Sequence, residues 1–161
     1  MVTDSRHQAA PEWVFLLHRL PRQPSAPRIA LWRAIRRLGA LLLGDGLVAL
    51  PASARTVEHF EWLAAGIEEQ GGSASVWLAR PRLADAAARL VDESRAASEA
   101  EYRALMREAA TVVTGDARRA LRRLRGELRR ASFRDHFGAP SAASARAAIE
   151  ALAERSARVT A

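Results

Sequence analysis

Between residues 13 and 81 the sequence switches repeatedly between two hydrophobic periods, and the order of those switches limits the fold more than any other feature. "WVFLLHRLP" (13–21) is apolar on both faces at its start and closed by Pro21, the pattern of a buried strand. A loop, "RQPSAP", places Ser25 to cap the helix "APRIALWRAIRRLG", with Pro27 tolerated in its first turn. In that helix Leu31, Trp32, Ile35 and Leu38 share one side, and Gly39 is a natural stop. "ALLLGDGLVALPA" (40–52) is two short apolar runs around Gly44-Asp45-Gly46, the signal of a tight hairpin. "RTVEHFEWLAAGIEEQGG" is a second helix that buries Val57, Phe60, Leu63, Ala64 and Ile67. "SASVWLARP" is a fourth strand, ended by Pro81.

The order is β-α-β-β-α-β, which predicts an α+β, ferredoxin-like plait over residues 12–81. Right-handed crossovers put both helices on one face of a four-stranded antiparallel sheet. Val14 and Leu16 cannot share that face with Trp13, Phe15 and Leu17, because neighbouring strand residues point to opposite sides. The second face therefore needs a cover, supplied by the rest of the chain or by a second copy in a homodimer. Trp13, Trp32 and Trp62 read as packing residues.

Residues 1–11 read as a loose tail, and residues 82–161 as a helical extension of about three α-helices, packed on the plait or on a partner subunit. One or two helices occupy 83–113, with Leu83, Leu90, Tyr102, Leu105, Met106 and Val113 as core positions and "SRAASEA" (94–100) as a hinge. Thr114-Gly115-Asp116 marks a break and a new cap. In the last helix Ile149 and Leu152 are the anchors.

Charge is the second constraint. The chain carries a formal +7, and all of its basic residues are arginine. That usage partly reflects GC-rich coding, so placement is more informative than number. "RRALRRLRGELRRASFR" (118–134) sets eight arginines against Glu127, which equals the excess of the whole chain. Leu121, Leu124 and Leu128 form a narrow stripe suited to packing. Arg118, Arg119, Arg122, Arg123, Arg125, Arg129 and Arg130 fill an arc of roughly 160° opposite it. Like charges at i,i+4 oppose helix formation, and an anionic partner relieves them. Duplex DNA, whose phosphates exchange counterions for arginine, is one such partner. Asp92, Glu93, Glu99, Glu101 and Glu108 of the preceding helix are an internal alternative. A partner protein domain, or an oxyanion held by convergent arginines, is a third. Arg33, Arg36 and Arg37 form a smaller basic patch on the first helix.

Catalytic and metal signatures are missing. The histidines, at 7, 18, 59 and 136, form no close-spaced pair, and the chain has no cysteine. No nucleophile elbow, phosphate-binding glycine loop or dinucleotide fingerprint appears. The expectation is a non-enzyme with no metal or cofactor. The start does not read as a secretion signal, since Asp4, Glu12, His18 and Arg19 interrupt it, and Asp45 interrupts the best candidate for a membrane span. Together with the lack of cysteine this predicts a cytoplasmic protein.

The stretch from "WVFLLHRLPRQPSAPRIALWRAIRRLGALLLGDGLVALP" to "GIEEQGGSASVW", with "EAEYRALMREA" and "LRRLRGELRRASFRDHFGAP", resembles the N-terminal domain of the chromate-resistance regulator family, ChrB. The resemblance implies a regulator that binds promoter DNA of a chromate-efflux operon. It also implies that the chain is a stand-alone form of a domain usually joined to a C-terminal, chromate-responsive one. The plait is similar, too, to that of small CRISPR spacer-acquisition nucleases, which place a metal-binding aspartate at the end of the first strand. Leu17-His18-Arg19 stands there instead, so nuclease activity is not implied.

Overall fold

A computed structural model describes residues 12–113 and 116–160. The tail at 1–11 and the break at Thr114 and Gly115 lie outside the described residues. Four strands, β1 (Trp13–Arg19), β2 (Leu41–Gly44), β3 (Leu47–Pro51) and β4 (Ser73–Ala79), form one sheet in the order β2-β3-β1-β4. All three pairings are antiparallel. Helices α1 (Ala26–Leu38) and α2 (Ala54–Glu69) interrupt the strands in the βαββαβ order. This is the ferredoxin-like plait. Three further helices follow: α3 (Ala84–Thr111), α4 (Ala117–Arg134) and α5 (Ala142–Thr160). The chain divides into two compact units, one up to Val91 and one from Asp92 onward.

In the first unit, strand parity decides the core. Val14 pairs with Leu50 and Leu16 with Val48, and all four are buried with Leu31 and Ile35 of α1 and Phe60 and Ile67 of α2. Trp13 and Ala49 of the opposite parity are also fully buried, whereas Leu17 and Trp77 are 50% and 61% exposed. The second face is thus closed at one end of β1 and open at the other. The hairpin turn depends on Gly46, whose φ is +83° and where an added Cβ would lie 2.3 Å from the His18 carbonyl oxygen. The same two residues are joined by the His18 N–H, which donates to the Gly46 carbonyl at 2.7 Å.

Helix starts depart from expectation in one case. Ser25 occupies the cap position of α1 but takes a helical backbone conformation and makes no side-chain cap bond. The effective cap lies at α2, where Ser53 accepts from the Thr56 N–H and Thr56 Oγ1 accepts from the Ser53 N–H. This reciprocal pair satisfies two of the amides that a helix start leaves open.

Two tryptophans are corrected. Trp32 is 51% and Trp62 73% exposed. By the 100° step of a helix, Trp62 lies roughly 150° from the stripe of Phe60, Leu63, Ala64 and Ile67, and Trp32 flanks the Leu31–Ile35 stripe. Trp32 thus sits at the edge of the side it was assigned to and Trp62 outside it, which leaves both rings at the surface.

In the second unit Tyr102, Leu105 and Ala109 of α3 pack with Leu121, Leu124 and Ala131 of α4 and Ala145, Ile149 and Leu152 of α5. Leu83 and Val113 are exposed, at 67% and 75%, because each falls just outside α3 and so off its apolar stripe. The segment 94–100 is unbroken helix rather than a hinge. Ser94 and Ser98, one turn apart, are buried there, so the small residues serve close packing.

Candidate nucleic-acid interface

The sequence of α4 builds a two-sided helix. Ala117, Ala120, Leu121, Leu124 and Ala131 are buried, and Leu128 packs against the same core. That stripe fixes the rotation of the helix, so the positions opposite must face outward. Arg118, Arg119, Arg122, Arg123, Arg125, Arg129 and Arg130 are all exposed. Several stand one turn apart, as Arg118 and Arg122 do, and Arg125 and Arg129. Each such pair costs about 0.2–0.5 kcal/mol of helix stability. Burial of the leucine stripe, worth about 1.5–3 kcal/mol per leucine, outweighs that repulsion.

Acidic residues neutralise one edge of the arc only. Arg123 is paired with Glu108 of α3 and, at 3.2 Å, with Glu127 one turn along. Arg134 binds Glu101 of α3 through two nitrogens, Nε at 3.1 Å from Oε1 and Nη2 at 2.5 Å from Oε2. Arg130 lines a small cleft of about 250 Å³ with Glu101, Glu108, Glu127 and Arg134. The internal pairing foreseen for α3 acids is therefore present for Glu101 and Glu108. Glu99 is used differently: it accepts from the Ser141 N–H and hydroxyl at the start of α5, and from Arg103 at 2.9 Å. The Ser141 hydroxyl and amide, and then Arg103, hold its carboxyl below the ordinary glutamate range.

The other edge stays cationic. Among the described residues, Arg118, Arg119, Arg122, Arg125 and Arg129 have no ion pair. Arg118, Arg122, Arg125 and Arg129 fall within roughly 60° of one another around the helix and extend over about 16 Å of its axis. Gly126 sits beneath them, with Arg130 and Arg129 guanidinium nitrogens 3.5 and 3.8 Å from where its Cβ would be.

The frame behind this face is braced by polar contacts. Tyr102 is buried, and its hydroxyl lies 3.2 Å from Asp135 Oδ2 and 3.4 Å from Ser132 Oγ. Asp135 also accepts from the Ala139 N–H, at 2.9 Å. Burial first, and the Asp135 carboxylate second, push the tyrosine hydroxyl's pKa up, so it remains a donor. The end of α4 and the start of α5 are thereby tied to α3.

The α1 patch is less coherent than its spacing promised. Arg33, Arg36 and Arg37 are all exposed. Arg36 lies over the Trp32 ring, 5.1 Å from its centroid. Arg37 lines a groove between α1 and α2, whereas Arg33 lines a different groove beside the β2–β3 hairpin. The structure thus sends the three guanidiniums to three surroundings. Sequence reasoning offered Glu101 and Glu108 as partners but not which arginines they take, Arg134 and Arg123, because that choice is made only by the fold. Among the described residues no three of His, Asp and Glu converge as a metal site would require. No helix among them is long and apolar enough to cross a membrane.

The fold defines an α+β protein: a ferredoxin-like plait followed in the chain by helices, one of which has a leucine seam and an exposed arginine face. The chain belongs to the ChrB N-terminal family, whose model, "Protein ChrB, N-terminal", matches residues 28–114. It is 34% identical over 93 residues to Protein ChrB of Cupriavidus metallidurans (strain CH34). That alignment covers 58% of this chain and 25% of the relative, so the chain spans about a quarter of that protein's length. No solved structure is significantly similar to it.

Proposed function

We propose that the chain is a DNA-binding module of a chromate-resistance transcriptional regulator, acting in the cytoplasm, and not an enzyme. The open edge of α4, with Arg118, Arg119, Arg122, Arg125 and Arg129 exposed and without ion pairs among the described residues, is the observation that supports this reading most. Laid against a duplex, these groups contact phosphate oxygens and release condensed counterions. Such contacts set position and affinity; they do not choose sequence. Arg130 and Arg123 flank that edge, and Arg33, Arg36 and Arg37 add backbone contacts from the first unit. A homodimer would present two such faces, matching a pseudo-palindromic site.

A gel-shift titration on the gene's own upstream region, with and without chromate, tests it. Binding that weakens steeply with added salt is the expected result; equal affinity at low and physiological salt refutes it. A second reading, a module that docks a separate acidic protein domain, is favoured by Glu108 and Glu127, which already satisfy Arg123 as an acidic partner would. Arg122→Glu combined with Arg123→Glu separates the two. Loss of DNA affinity with intact protein docking supports DNA binding, and the reverse supports docking.

A further inference from the structure

A cavity of about 950 Å³ lies between α1 and the β2–β3 hairpin in the first unit. Arg19 comes to it from the end of β1, Arg22 from the following loop, and Arg28 and Arg33 from α1. Asp45, at the hairpin turn, is the one carboxylate among its lining residues. None of the four arginines has an ion pair among the described residues. Apart from His18 and Ser25 the rest of the lining carries no polar side chain, and three large apolar members of it are open: Ile29, Trp32 and Leu42 are 47%, 51% and 59% exposed. Large apolar groups left in water around a cavity mark a binding site more often than a bare surface.

The two halves of this lining ask for different parts of one ligand. Four guanidiniums against one carboxylate call for more than a single negative charge, and their planar forks suit phosphate oxygens. A monatomic or tetrahedral anion would occupy a small part of the volume and leave the apolar residues wet. Trp32, already covered in part by Arg36 at 5.1 Å, offers an aromatic surface to a flat ring. We propose that this cavity binds a phosphorylated, ring-bearing small molecule of mononucleotide size, with phosphates on Arg19, Arg22, Arg28 and Arg33 and the ring against Trp32. His18, on the same wall, has its pKa lowered by burial. It therefore presents an uncharged imidazole near neutral pH, suited to a hydrogen bond with the ring edge rather than to a phosphate.

This assignment is independent of the α4 reading, since α4 contributes nothing to the cavity. Calorimetric titration of the whole chain with ATP, ADP, AMP and inorganic phosphate tests it. ATP should bind at least about tenfold more tightly than inorganic phosphate. Arg22→Ala with Arg28→Ala, both exposed, should weaken ATP by about tenfold or more while leaving the salt dependence of duplex binding unchanged. Trp32→Ala should weaken ATP and leave phosphate unaffected. Absence of nucleotide binding, equal affinity for ATP and phosphate, or ATP affinity indifferent to Arg22→Ala/Arg28→Ala overturns the proposal. If that double variant instead loses duplex DNA while the parent binds no nucleotide, the cavity belongs to the DNA backbone.

Discussion

Removing the open stripe of α4 should change the salt dependence of DNA binding by an amount that follows from the helix. Arg118, Arg122, Arg125 and Arg129 share a roughly 60° sector, so all four can face one duplex at once. With about four phosphates neutralised there, log K falls with log salt at a slope of about −3.6 from this stripe alone. Between about 50 and 200 mM salt that is a loss of roughly 150-fold in affinity. The triple variant Arg118→Ala, Arg122→Ala, Arg129→Ala keeps Arg125, so the slope should become shallower by about 2.7. Fluorescence anisotropy on a labelled upstream duplex reads both slopes. The control is Arg158→Ala on α5, which removes an exposed guanidinium paired with Glu154 and should leave the slope intact. Folding cannot explain the predicted loss: alanine favours helix, and the variant removes like-charge neighbours, so its melting temperature should stay level or rise. A slope unchanged within about one unit would refute the reasoning, as would an equal change in the control.

Other outcomes follow from the packing. Leu124→Ala, at a fully buried position in the second core, should destabilise the chain by about 3 kcal/mol in urea denaturation. Gly46→Ala forces a side chain onto a positive φ and against the His18 carbonyl, and should cost about 2 kcal/mol by the same measurement. The depressed Glu99 carboxyl contributes stability that is present at neutral pH and lost as pH falls below about 4.5 toward the lower folded-state value. Glu99→Gln should therefore flatten the acid limb of the stability curve, which acid titration followed by circular dichroism checks.

The plait was legible because its signals are local and periodic. Val14 and Leu16 alternate with Phe15 and Leu17, Gly44 and Gly46 bracket a turn, and Phe60 and Ile67 recur at helical spacing. The arginine face of α4 was equally plain, since Leu121, Leu124 and Leu128 fix the rotation of the helix. What could not be read was long-range. Arg134 meets Glu101 and Arg123 meets Glu108 across two helices, and no spacing rule announces either pair. Trp32 and Trp62 misled because the core-facing sector of each helix is narrower than the spacing suggested. The hinge at 94–100 misled because serine and alanine are common in loops, yet the same small residues let a helix pack closely. The cavity arginines, Arg19, Arg22, Arg28 and Arg33, are scattered over two elements and a loop, and only the fold gathers them.

The central claim is that the α4 guanidiniums are open to a polyanion in the folded chain. Arginine side-chain Nε–Hε resonances observed by NMR during titration with upstream duplex test it residue by residue. The account predicts that Arg118, Arg122, Arg125 and Arg129 shift together on binding while Arg134, held by Glu101, stays in place. Shifts confined to residues outside α4, or none at all with DNA bound, would contradict it.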